Sequence, residues 1–378
     1  MHFTCHVSRF HLMNIIIAPD KFKGSLTSFE ACEIIAQAFK QVDSSVELSL
    51  FPMADGGDGF AQVMKHYRDT DTVDCKTVDP LERKINASYQ WNATKQIAII
   101  EMAVASGLTL LKDEERDPLR TSTFGTGLLI KDAIKKGARQ IITNDAGTGI
   151  LSSLGFQFND ANNKSLKACG ENLLNIETII PPQVIPDITF AIACDVQNSL
   201  YGPKGAAYVY ARQKGANDEA IKLLDDGLKH FAAILEQQTG HDVADIPGAG
   251  AAGGIAAGLM AFFNVQLKSG VHMVIDASGI KSRIAGADLL ATGEGKIDEQ
   301  TLSGKVVSEL ASLALRYNIP VAAFCGTVEL NNSQASKLGL RFVETLVSSS
   351  VTKEEAINNA RQILADKARE FLKKFIAK

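Results

Sequence analysis

No two of the six cysteines form a C-x-x-C pair; Cys5, Cys32, Cys75, Cys169, Cys194 and Cys325 are scattered along the chain. That spacing argues against a disulfide framework or a structural zinc site and suits buried thiols in a reducing cytosol. No run approaches the ~18 apolar residues of a membrane span, and no solenoid-type repeat is visible. Basic residues never cluster and the net charge is −4, so nothing attracts nucleic acid or an acidic membrane surface. The Walker A pattern is missing, because Gly304-Lys305 is followed by Val306 and lacks the earlier glycine, and the protein-kinase motifs are missing too. The opening MHFTCHVSRFHLM holds three of seven histidines, yet it lacks the apolar stretch of a signal peptide and any familiar metal-site spacing. Residues 1–12 are therefore expected to be a frayed extension ahead of Met13.

What is present reads as an ordinary globular chain long enough for two domains, with 378 residues, 46% of them hydrophobic and 22% charged. Asn14 to Ala18 is a continuous apolar run, Thr27 to Glu30 a capping box opening a helix to about Gln41, and Glu47 to Pro52 a second strand. This strand, helix, strand grammar returns at Ala287 to Thr292, Gly304 to Tyr317 and Val321 to Cys325, with a last helix over 353–377. Parallel sheet covered by helices follows. Lys84 to Trp91 and Gln96 to Met102 alternate instead, which predicts antiparallel or mixed strands, and Lys164 to Pro186 reads as an irregular connection. The expected organisation is α/β, with a discontinuous parallel-sheet domain (13–65 plus 285–378) interrupted by an inserted mixed α/β domain (66–284).

Four strand-end loops combine glycines with charge. In Asp55-Gly-Gly-Asp58-Gly59 the glycines would let amides approach an anion while Asp55 and Asp58 hold a cation; a tight turn with solvated acids accounts for the same residues. Glu294, Lys296 and Asp298 follow the strand ending at Thr292, Asp195 and Asn198 follow Phe190 to Cys194, and Lys21 and Lys23 follow the first strand. Ligands collect at that edge of open α/β sheets. Gly248-x-Gly250-x-x-Gly253 matches the dinucleotide pattern, but Asp245-Ile-Pro247 makes a poor strand end. Small residues opening a helix at about Ile255 suit either phosphate or close helix packing.

In their order, IIIAPDKFKGSLTS (15–28), PMADGGDGF (52–60), EMAVASGL (101–108), TSTFGTG (121–127), TNDAGTGIL (143–151), ACDVQNSLYGPKGAA (193–207), PGAGAAGG (247–254) and TGEGKIDEQTLSGK (292–305) resemble the type I glycerate kinase family from Met13 onward. The resemblance implies a Rossmann-like parallel-sheet domain built from both chain ends, and a cytoplasmic enzyme phosphorylating D-glycerate, usually to 2-phosphoglycerate, with ATP and Mg²⁺ in organic-acid breakdown. Carried onto this sequence, it suggests Asp195 as general base with Asp298 second, and Lys21, Lys23, Ser106, Asn198, Glu294 and Lys296 around glycerate. It places Gly125, Gly127, Asn144, Asp145, Gly248, Gly250 and Gly253 at the nucleotide phosphates, and Asp55 and Asp58 at Mg²⁺. Asp58 stands where the family usually has Glu, and Val306-Val307 where Ala-Pro is common. A larger departure lies at Ile142-Thr143, where members carry a glycine-rich turn, G-x-G-G-S-A, that this chain lacks. A catalytically impaired ligand-binding relative is the alternative that this gap raises. A kinase for another small hydroxy acid and, more distantly, a nicotinamide dehydrogenase are further alternatives.

Overall fold

Ile15, Ile16 and Ile17 are all buried, which a strand tolerates only when both faces of its sheet are covered. Asn14–Pro19 is accordingly an inner strand of a wholly parallel sheet ordered Phe342–Thr345, Val321–Val328, Leu289–Ile297, Asn14–Pro19, Glu47–Leu50. The computed structural model describes residues 12–143, 148–195, 197–250 and 256–377. The expected N-terminal extension lies, but for Leu12, outside the described residues. Two compact units result, one running to Asp55 and resuming at Val274, the other spanning Gly56–Met273.

In the first unit the capping box forms as the sequence predicts. Thr27 accepts from the Glu30 amide and the Glu30 carboxylate accepts from the Thr27 amide, starting the helix Ser28–Val42. Its apolar face meets the helix Ala360–Ile376, and Phe39, Phe324 and Phe371 close the core with ring centroids 5.6 to 6.4 Å apart. Two expectations are corrected here. The single C-terminal helix is two, Lys353–Asn358 and Ala360–Ile376, because Asn359 leaves helical geometry at φ −113, ψ 21. The strand expected to end at Thr292 continues to Ile297. Its glycines allow this, since a Cβ on Gly293 would stand 2.1 Å from the Phe324 carbonyl of the neighbouring strand.

The second unit carries a mixed sheet ordered Asn264–Lys268, Thr189–Ala193, Gln140–Thr143, Ile97–Ile100, Lys84–Asn92, Asp71–Val78. The first four strands run parallel, and Lys84–Asn92 pairs antiparallel with both Ile97–Ile100 and Asp71–Val78. Gln140–Thr143, next to the missing turn, is only four residues long, yet every residue of it pairs with Ile97–Ile100 on one side and with Thr189 to Ile192 on the other. The connection expected to be irregular instead supplies two strands, Ser165–Leu166 and Thr178–Ile180, that pair antiparallel with Gln157–Asn159 in a small sheet. Pro181, Pro182 and Pro186 all lie beyond its last strand, so no ladder amide is lost.

Gly125, in the helix Phe124–Lys135, packs directly on the edge strand Asp71–Val78 of the six-stranded sheet: a Cβ there would sit 1.9 Å from the Val78 carbonyl. Ala favours a helix interior over Gly by ~1 kcal/mol, whereas forcing a methyl against backbone costs ~1–3 kcal/mol. Gly125→Ala should therefore lower the melting temperature, and a variant as stable as the parent would show that the helix can shift away.

Candidate active site

The parallel sheet of the first unit places two loop chemistries side by side. Pro19 pairs with Gly293, so Asp20 and Glu294 follow one another across adjacent strands at the carboxyl edge. The Asp20 amide donates to the Gly293 carbonyl at 2.8 Å and the Lys21 amide to Asp20 Oδ1 at 2.7 Å. Asp20 is only 5% exposed and Glu294 6%. Burial, reinforced by the charge of Asp55, pushes the Asp20 carboxyl up to about 7 against the pull of Lys21. Burial likewise lifts Glu294 to about 7, although it accepts a 2.9 Å bond from Thr301 Oγ1 and feels Lys305. Asp55 and Asp298 add to that rise.

Such carboxylates resist ionising together, and a hard divalent cation bound by oxygen is what would relieve them. Asp20, Glu294 and Asp55 are oxygen donors of the type Mg²⁺ takes, but among the described residues no three acidic, His or Cys side chains form a group that could hold a metal ion. Asp55 lies in this acid set, whereas Asp58 is exposed and belongs to the second unit.

Asp298 behaves differently. Desolvation pushes it upward, but hydrogen bonds from Lys296 and the Gln300 amide, with the Lys296 and Lys305 charges, outweigh that and hold it below the usual carboxylate range. Lys296 Nζ stands 3.1 Å from Asp298 and 2.8 Å from Glu329, so this exposed cation is engaged by acids. Lys21 is half-buried beside the acid set and Lys23 is exposed on the same loop.

In the second unit Asp195 follows the strand Thr189–Ala193, and its Oδ1 accepts a 3.1 Å bond from the amide of Gly270, the first residue of the helix Gly270–Ser278. Its Oδ2 faces Gly56, whose added Cβ would lie 3.4 Å away. The glycines of the D-G-G-D-G loop thus serve a turn, with Gly56 and Gly59 at φ +96 and +88. Glu101 accepts from the amides of Gly59 and Ala61 at 3.1 and 3.3 Å and so caps the helix Phe60–Tyr67.

Asn198 is occupied locally, donating to the Lys204 carbonyl at 2.8 Å and accepting from Tyr210 at 2.7 Å. Ser106 shares a 2.7 Å hydrogen bond with Thr126. Gly127 and Gly250 are close-approach positions, since Cβ atoms there would fall 1.9 Å from Ser153 Oγ and 2.0 Å from the Ser199 carbonyl. Gly248 turns at φ +90, and the segment before it, 241–247, contains no strand, so the dinucleotide context is lacking. Asn144, Asp145 and Gly253 lie outside the described residues.

Sequence reasoning missed Asp20, Thr301 and Lys305. The signal for Asp20 was available, as it directly follows the first strand in the same motif as Lys21.

Known proteins resemble the chain over most of its length. A family model described as the glycerate kinase family matches residues 15–376. A glycerate kinase of Halalkalibacterium halodurans is 39% identical over 94% of this chain and 96% of its own, and a glycerate 2-kinase of Escherichia coli is 37% identical over 92% and 94%. A crystal structure assigned to a glycerate kinase 2 of Salmonella typhimurium superposes with a TM-score of 0.83 at 35% identity, covering 97% of this chain and 99% of that one. With the match running through both units and every one of the loops above, the chain belongs to the glycerate kinase family.

Proposed function

We propose that the protein transfers the γ-phosphoryl group of ATP to a hydroxyl of D-glycerate with Mg²⁺, giving phosphoglycerate and ADP. The 2-position is the favoured acceptor, in keeping with the relative named a glycerate 2-kinase, and the reaction belongs to organic-acid breakdown. The observation that carries this reading is the buried acid set of Asp20, Glu294 and Asp55 with lysines beside it, at the carboxyl edge of a parallel sheet, in a chain of this family.

Phosphoryl transfer asks the protein mainly to position groups and neutralise charge. Bound at these acids, Mg²⁺ would screen the phosphate oxygens. Lys21 and Lys23 are the cations for the glycerate carboxylate. Asp195 takes the proton of the attacking hydroxyl as its oxygen bonds to the γ-phosphorus and the bond to the ADP oxygen breaks. Asp298, held ionised by Lys296, is the second candidate for that proton.

The impaired-relative alternative loses force because the shortened strand keeps all its pairing. A coupled assay with purified protein, ATP, Mg²⁺ and D-glycerate should give kcat/KM on the order of 10⁴ M⁻¹s⁻¹ or more. Inserting Ile-Gly-Ile-Gly-Gly-Ser-Ala after Ile142 should leave that value within about twofold. An inactive parent awakened by the insertion would overturn the reading of this chain as a working kinase.

A further inference from the structure

Within the second unit lies a cavity of about 170 Å³ with a largely aliphatic and aromatic wall, Leu108, Leu173, Ala207, Leu228 and Phe231 among its lining. Polar groups interrupt that surface. Thr123, in the wall, buries its Oγ1 without a hydrogen-bond partner among the described residues, a state a ligand oxygen or nitrogen would relieve. The same residue stands at the N-cap of the helix Phe124–Lys135 without a side-chain cap bond, and the amides of Gly125 and Thr126 donate to no partner among the described residues. Lys214 brings a cation to the lining.

We propose that this cavity receives the nucleoside end of ATP, with Thr123 and the first turn of the helix Phe124–Lys135 meeting the nearer phosphates. The proposal rests on the phosphoryl-transfer reading above and adds to it where the donor binds. Of the two substrates, glycerate carries a carboxylate and two hydroxyls on three carbons, and would shed its water against leucine and phenylalanine for nothing in return. A purine has two apolar faces and a few polar edge atoms, the combination that a mostly apolar pocket with sparse polar groups selects. The charged triphosphate gains nothing from that apolar wall, and an uncapped helix start of small residues is a ready anion site. Ser106, tied to Thr126 and lining the same cavity, then serves the donor rather than glycerate.

Two variants test this, read by calorimetry and by ligand-induced shifts in melting temperature as well as by turnover. Ala207, 3% exposed, is replaced by Leu to fill the cavity, and Thr123 by Val to remove the orphaned hydroxyl at constant shape. Ala207→Leu should weaken ATP at least about tenfold while inorganic tripolyphosphate, which has no nucleoside, binds as to the parent and the KM for glycerate holds. Thr123→Val should weaken ATP and tripolyphosphate alike, yet melt no lower than the parent without ligand, because the parent gains nothing from an unpaired buried hydroxyl. A folded Ala207→Leu protein with parental ATP affinity overturns the proposal while leaving the kinase reading intact. If Ala207→Leu does not fold, Thr123→Val decides, and unchanged ATP affinity there overturns it. A parent that neither binds ATP nor turns over glycerate overturns both.

Discussion

Asp195→Asn should lower kcat by ~10²–10⁴-fold, the usual worth of a general base, with the melting temperature unchanged. The two halves of that expectation come from the two oxygens. Oδ1 accepts from the Gly270 amide, and an asparagine carbonyl can accept the same bond, so the start of the helix Gly270–Ser278 keeps its anchor. What the substitution removes is the negative charge able to take a proton. The KM values should move little, because the loss falls on the transition state. If the variant melts like the parent and retains near-parental kcat, Asp195 is an anchor for the helix and the proton goes to Asp298.

The second large effect is a loss of stability with rising pH in the metal-free protein. Asp20 and Glu294 sit at about 7 when folded, against ordinary values of ~3.9 and ~4.3 for exposed Asp and Glu. Between those limits the folded state holds protons that the unfolded state has released, so unfolding free energy falls as pH rises. The contribution is fully present below about pH 4 and gone above about pH 7. A tenfold difference in proton affinity between folded and unfolded chain corresponds to ~1.4 kcal/mol, and the two acids titrate as a coupled set. The melting temperature should therefore drop by several degrees between pH 5 and pH 8. Asp20→Asn should flatten that slope and raise stability at pH 8. Saturating Mg²⁺ should restore the parent at pH 8, do little at pH 5 where protons already occupy the acids, and do little for Asp20→Asn. Equal slopes in parent and variant would show that these acids are not the source.

Much of the first unit was legible because its information is local. Three consecutive isoleucines announce a strand buried on both faces, and Thr27 with Glu30 announces a helix start, whatever packs above them. The site was legible only as a collection of edges. Which loops meet depends on strand order, and Asp20 comes beside Glu294 solely because strands far apart in sequence are neighbours. A sequence shows an acid after a strand but not the Gly293 carbonyl of a distant strand that ties it down. The continuation of Leu289–Ile297 through Gly293, Glu294 and Gly295 was hidden for a related reason: glycine and charge normally mark the end of a strand, and here glycine is what lets two backbones approach. Likewise Gly125 and Gly127 read in sequence only as phosphate positions and Gly250 as phosphate or close packing, while the atoms they approach, the Val78 carbonyl, Ser153 and the Ser199 carbonyl, come from pairings no local pattern encodes.

The placement of Asn14–Pro19 between Glu47–Leu50 and Leu289–Ile297 also dictates the order in which the molecule can be made. During synthesis this strand emerges well before its partner, which lies 274 positions further on at Asp288 and beyond. Gly56–Met273, being contiguous, has all it needs to fold while still attached to the ribosome. The isoleucine-rich strand must wait through that whole interval with a bare edge, and closing so long a loop makes the last step slow. Glu47–Leu50 covers only the opposite edge of that strand, so until Leu289–Ile297 arrives the waiting edge is open to pairing with another nascent chain.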